Sequence, residues 1–158
     1  MTAPRAEEQE PAAELGTPEK SDQAPSSLQK TKDQQRAAQA WKNISDVKAK
    51  AFEGLYGGWV KKLPALILTN GLGQALAFLL AKGKRQEAAK TLYDHLSKWI
   101  MAEVAQVQGV KLLDWLIKHD SAHYRRATTE ALAFVNWLKR FAEAELTIVE
   151  PERGEEAE

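Results

Sequence analysis

Apolar residues recur along this chain in blocks with helical spacing. Ala37, Trp41, Ile44, Val47, Ala51 and Leu55 fall at three- and four-residue intervals, with Lys32, Arg36, Lys42, Lys50 and Glu53 on the other face. That pattern predicts an amphipathic helix from about residue 30, ended by the GLYGG stretch at 54–58. A second apolar block follows: Trp59, Val60, Leu63, Leu66 and Ile67, with Pro64 inside it. Proline removes an amide donor and crowds the carbonyl of Val60, which predicts a kinked helix ending at Asn70. At Asn70-Gly71 a left-handed turn is inexpensive, because Gly71 has no Cβ and Asn tolerates that region. Residues 72–82 are apolar almost all round and predict a central core helix, stopped by Gly83.

A fourth helix starts at Lys84 or Arg85 and reaches about Gln108, with Ala89, Leu92, Tyr93, Leu96, Trp99, Ile100, Val104 and Val107 on its apolar face. Gly109 breaks it. A short fifth helix over 111–119 should bury Leu113, Leu116 and Ile117, and Asp120-Ser121 offers an N-cap for a sixth from Ala122 to about Leu146. No segment sustains period-two alternation, and TIVE at 147–150 is too short for a sheet. The expected fold is all-α: a single compact bundle of about six helices over 29–146. It is flanked by tails at 1–28 and 147–158 that are expected to be disordered and acidic, the first being too poor in large apolar residues to offset its ordering entropy.

Charge sharpens that division. The formal net charge of zero hides a net −4 in residues 1–28 and another −4 in 150–158, so the chain between them is strongly basic. A basic folded domain is a candidate for contact with a phosphate backbone. Cysteine is absent, and no apolar run reaches the roughly 18 uncharged residues of a membrane span. A cytoplasmic protein is expected.

The sixth helix carries the sharpest local signal. With Arg125 at zero and 100° per residue, Asn136, Thr129, Arg140 and Lys139 fall at roughly 20°, 40°, 60° and −40°. Tyr124, Ala127, Ala131, Phe134, Val135, Leu138 and Phe141 take the opposite side and should face the core. Three cations, an amide and a hydroxyl with no acid among them suit phosphate and ribose oxygens. Leu132 intrudes at about −20°, a position open to a protein contact. Arg126 and Glu130, four residues apart, are expected to form a local ion pair. Lys82, Lys84 and Arg85 cluster at the start of the fourth helix, where free amides add to their field, and Lys61 and Lys62 stand at the other end of the central apolar stretch.

Little else suggests chemistry. Asn70-Gly71-Leu72-Gly73 follows no strand and lacks the Gly-Lys-Ser/Thr ending of a phosphate loop. His119-Asp120 with His95, Asp94, Asp114 and His123 is weak material for an HD-type metal site. No metal and no cofactor are expected. Trp41, Trp59 and Trp99 lie on apolar faces and are expected in the core.

The ordered strings KKLPALILTNGLGQALAFLLAKGK and YRRATTEALAFVNWLKRFAEA resemble the small all-helical subunit of the Cmr complex, the type III-B CRISPR RNA-guided silencing effector. The resemblance covers most of residues 30–146. It implies a non-catalytic subunit of antiviral defence, several copies of which stack in a minor filament beside the backbone subunits and line the channel of guide and target RNA. Target cleavage would belong to the backbone subunit and cyclic-nucleotide synthesis or DNA cleavage to the large one. The RNA-facing positions it implies are Lys61, Lys62, Lys82, Lys84, Arg85, Arg125, Arg126, Lys139 and Arg140. The implied partners are other Cmr subunits, copies of the chain itself, and guide and target RNA. Two alternatives remain: a metal-dependent HD-type nuclease, and a helical adaptor whose basic faces bind only protein.

Overall fold

The computed structural model describes residues 29–151. The chain separates into a unit Met1–Thr31 and a unit Lys32–Glu158, and every element below belongs to the second. The expected N-terminal tail and the C-terminal residues 152–158 lie outside the described residues.

Among the described residues there are six α-helices, one π-helical turn and no strand: α1 (Lys32–Val47), α2 (Glu53–Asn70), α3 (Leu72–Lys82), α4 (Glu87–Ile100), the π turn (Met101–Ala105), α5 (Leu112–Lys118) and α6 (Ser121–Glu145). None of them is long and apolar enough to cross a membrane. The all-α bundle is as the spacing implied. α6 is its organising element, packed along α1 and α2, while α2 also packs on α3 and α4. Ala127, Ala131, Phe134, Val135, Leu138 and Ala142 of α6 are buried, and the Phe134 ring stacks on Trp99 of α4 with centroids 5.0 Å apart.

The first helix ends earlier than its periodicity implied. It stops at Val47, and the connection passes through Ala49 at φ 74°. GLYGG does not terminate it; Gly54, Gly57 and Gly58 lie inside α2. The reason is close approach. A Cβ on Gly58 would lie 2.2 Å from the Val149 carbonyl oxygen, one on Gly54 2.7 Å from Val149 Cγ2, and one on Gly57 2.9 Å from Ile148 Cγ1. The chain after α6 therefore lies on the glycine face of α2, where the Val149 amide donates to the Gly54 carbonyl at 2.9 Å and the Thr147 amide to Glu53 Oε2 at 3.1 Å. Pro151 is buried. The tail expected from residue 147 is thus packed as far as 151.

α2 continues through Pro64 to Asn70, and Gly71 follows at φ 90°. α3 has the predicted bounds, but Gly83 closes it at φ −63°, a right-handed conformation. What this glycine supplies is room, since its Cβ would sit 3.1 Å from Lys90 Cα. α4 begins at Glu87, and its apolar face runs through the π turn until Gln106, left-handed at φ 55°, ends it short of Gln108. In α5 the expected burial fails at one position: Ile117 is 78% exposed. The Asp120 side chain accepts from the His123 amide at 3.0 Å and caps α6 as expected.

Candidate nucleic-acid interface

The outward side of α6 resolves into two patches. Near its N-terminus Arg125, Arg126 and Thr129 line an open depression of about 650 Å³ with Lys32, Glu103, Val104, Ala122 and Glu130; both arginines are exposed and Thr129 is exposed with them. About two turns further on, Asn136 and Arg140 line a second cleft, of about 350 Å³, with Asp33, Ala133 and Trp137. Lys139 is half-buried and lines neither. Leu132, between the patches, packs against the core.

The electrostatics of the first patch depend on α1. Glu130 does not pair with Arg126. Arg36 takes it instead through two hydrogen bonds, Nε to Oε2 at 2.7 Å and Nη2 to Oε1 at 2.9 Å, and Trp99 Nε1 donates to Oε2 at 2.7 Å. The carboxylate lies on the core side of α6, within reach of the seam with α1 rather than of its own helix's exposed face. Burial alone raises the Glu130 pKa, but the donors from Arg36 and Trp99 outweigh it and hold the carboxyl below its ordinary range. Lys32 in turn pairs with Glu103. Both acids of the depression are therefore neutralised, while Arg125 and Arg126 have no ion-pair partner among the described residues. Two exposed guanidiniums without a counter-charge suit anionic oxygens.

The second patch is mixed in sign. Asp33 accepts from Trp137 Nε1 at 3.0 Å, and Arg140 lies 3.9 Å from Glu143. The acid-free stripe read from α6 alone thus acquires a carboxylate from α1.

Of the lysine groups, Lys82, Lys84 and Arg85 do come together at the α3–α4 corner. Lys84 and Arg85 are exposed, and Lys82 lies over the Phe78 ring at 5.7 Å. Lys61 and Lys62 differ from each other. Lys61 pairs with Glu150 at 3.1 Å on the packed C-terminal segment, whereas Lys62 lines a groove with Trp59, Leu66, Thr69 and Phe78.

The histidines are occupied locally. The His119 ring stacks on Trp115 at 4.5 Å and its Nδ1–H donates to the Trp115 carbonyl at 2.8 Å. His123 Nδ1–H donates to Asp120 Oδ1 at 2.7 Å, which with the His123 amide lowers the Asp120 pKa. His95 Nδ1 lies 2.7 Å from Tyr56 Oη in the interior. No group of three or more His, Cys, Asp or Glu among the described residues could hold a metal ion.

Arg36, Lys32 and Asp33 carry no local signal, because what matters is their meeting with α4 and α6 across the fold. Trp41 was expected in the core with Trp59 and Trp99; those two are buried, but Trp41 is 47% exposed, edge-on to Phe141 at 5.0 Å.

Comparison with known proteins identifies the scaffold. The family model described as CRISPR-associated protein (Cas_Cmr5) matches residues 32–145. The CRISPR system Cmr subunit Cmr5 of Thermus thermophilus is 35% identical over 119 residues, which cover 73% of this chain and 96% of that protein. The crystal structure of a CRISPR-associated Cmr5 family protein, also from Thermus thermophilus, superposes with a TM-score of 0.62 at 31% identity, covering 74% of this chain and 99% of that one.

Proposed function

The chain belongs to the Cas_Cmr5 family of CRISPR-associated proteins, and we propose that it serves a Cmr complex as a non-catalytic subunit that grips RNA through the outward side of α6. In this reading it acts in the cytoplasm, stacks with copies of itself beside the backbone subunits, and holds the phosphates of guide or target RNA at Arg125 and Arg126, target selection being left to base pairing as in an RNA-guided complex. The carrying observation is the pair Arg125 and Arg126, exposed and unneutralised because Arg36 has taken the nearby carboxylate Glu130. The Lys82, Lys84 and Arg85 corner is a second, smaller source of positive field.

The test is a Cmr complex reconstituted with guide RNA and the double variant Arg125→Glu, Arg126→Glu. Target-RNA affinity should fall and the slope of log K against log salt should flatten by about 0.7 per lost phosphate contact on a single strand. Unchanged affinity and slope with impaired assembly would assign this surface to a protein neighbour instead. The HD-type nuclease reading is tested with the purified chain in Mn²⁺ or Mg²⁺. RNA should remain intact, and metal-dependent cleavage abolished by His119→Ala would defeat the non-catalytic reading.

A further inference from the structure

The second cleft on α6 differs in chemistry from the first. Its wall is the Trp137 indole, fixed by the Nε1 hydrogen bond to Asp33 Oδ1 at 3.0 Å. Arg36 Nη1 donates to the same oxygen at 3.3 Å, so Asp33 Oδ2 is left without a partner among the described residues. The Asn136 amide and the Arg140 guanidinium stand on the same cleft. Phe141 lies against Trp137 at 5.4 Å and Trp41 against Phe141 at 5.0 Å, so an aromatic row continues outward from the cleft.

A carboxylate repels phosphate, so this cleft is ill-suited to backbone contact. It is suited to a base. A guanine presents two N–H donors on its N1/N2 edge, which a carboxylate accepts, and acceptors at O6 and N7, which a guanidinium or amide serves. Unstacked RNA bases are held by aromatic side chains in this way. On the helix, Asn136 lies about 16 Å from Arg125, within the span of a few extended nucleotides. We infer that the Asp33–Asn136–Trp137–Arg140 cleft holds one unstacked guanine of a single-stranded RNA whose phosphates lie along Arg125 and Arg126. This rests on the RNA-contacting reading above.

The experiment measures binding of the full-length chain to two fluorescein-labelled RNA octamers at low salt, octauridylate and the same octamer with one internal guanosine. The guanosine RNA should bind about 5- to 10-fold more tightly. Asp33→Asn, checked by circular dichroism, should reduce that preference to below about twofold without weakening octauridylate binding. Arg125→Ala with Arg126→Ala should weaken both RNAs and keep the preference. Equal affinity of the native chain for the two RNAs, or a preference that survives Asp33→Asn, overturns the guanine cleft and leaves backbone binding standing. Binding of neither RNA overturns both.

Discussion

The hydroxyl oxygen of Tyr124 accepts a hydrogen bond from the amide of Gly73 at 2.7 Å. These residues belong to the two strings that mark the family resemblance, the NGLG turn and the YRRA start of α6. The bond ties the two segments to each other. α3 begins after Gly71, which has no side chain to cap the helix, and no side-chain cap is formed there. The free amides of a helix start need acceptors, and Tyr124 supplies one from another helix. The glycines give the phenol its room: a Cβ on Gly73 would lie 3.2 Å from Tyr124 Oη and one on Gly71 3.4 Å from it.

Tyr124→Phe should therefore lower stability by about 1 kcal/mol, the usual effect of losing a cap. Urea unfolding checks it through the midpoint at constant slope. Gly73→Ala should be better tolerated in the Tyr124→Phe background than in the native chain, because the crowding oxygen is gone. Equal effects in both backgrounds would show that Tyr124 does not act on this turn.

The Arg36–Glu130 pair is worth more than a surface bridge. Glu130 is 8% exposed and accepts from two side chains, on α1 and α4. Glu130→Ala should destabilise the fold by about 2–4 kcal/mol, since it removes two of the Arg36 hydrogen bonds and leaves the buried Trp99 N–H without its acceptor. The double variant Arg36→Met, Glu130→Met should recover most of that loss, and a double-mutant cycle reads the coupling directly. Additive losses from the two single changes would mean that the contacts are independent.

The helices were legible because burial against one core imposes a 3.6-residue period, which survives in residues such as Leu92, Leu96 and Leu138. The pairing of charges was not. Arg126 and Glu130 have the spacing of a helix ion pair, yet Arg36, 94 residues away, takes the carboxylate, because Glu130 lies towards the α1 seam. Glycine was ambiguous in the same way. Gly54, Gly57 and Gly58 look like a terminator, but residues 147–151 need their bare surface. Ile117 has an apolar side chain at helical spacing and still faces outward, because α5 buries the face of Leu112, Trp115 and Leu116, from which Ile117 is turned away by roughly 100° or more. Of the candidate interface, Arg125 and Thr129 could be placed together from one helix, whereas Arg126 had the spacing of an ion pair with Glu130 and entered only with the resemblance; Asp33 could not be placed at all, because α1 brings it there.

Acid should expose the His95–Tyr56 pair. Burial pushes the His95 imidazole down to about 4, against an opposing pull from Asp46 and Asp94 and a further push from Lys98. Below the ordinary histidine value near 6.5 the unfolded chain binds a proton that the folded chain refuses. Stability should therefore fall as pH drops from about 6.5 towards 4, by at most about 3 kcal/mol. Glu130, whose carboxyl is held low, loses its contribution only further into acid, so the two separate. His95→Gln should flatten the upper part of the slope in denaturant unfolding across this range. A slope unchanged by that substitution would assign the acid sensitivity elsewhere.

The C-terminal segment decides the sign of a substitution in α2. At a helix interior Gly→Ala is ordinarily stabilising by about 0.5–1 kcal/mol, through the lower entropy of the unfolded chain. At Gly58 the added Cβ would meet the Val149 carbonyl oxygen at 2.2 Å and Pro151 Cδ at 2.8 Å, and backbone cannot rotate away as a flexible side chain can. Gly58→Ala should therefore destabilise the full chain by about 1–3 kcal/mol, by expelling residues 147–151 from the helix face. In a chain ending at Leu146 the obstacle is absent, and the same substitution should become neutral or stabilising. Thermal or urea unfolding of the four proteins tests this as a cycle, and a destabilisation of the same size in the shortened chain would mean that the segment does not rest on Gly58.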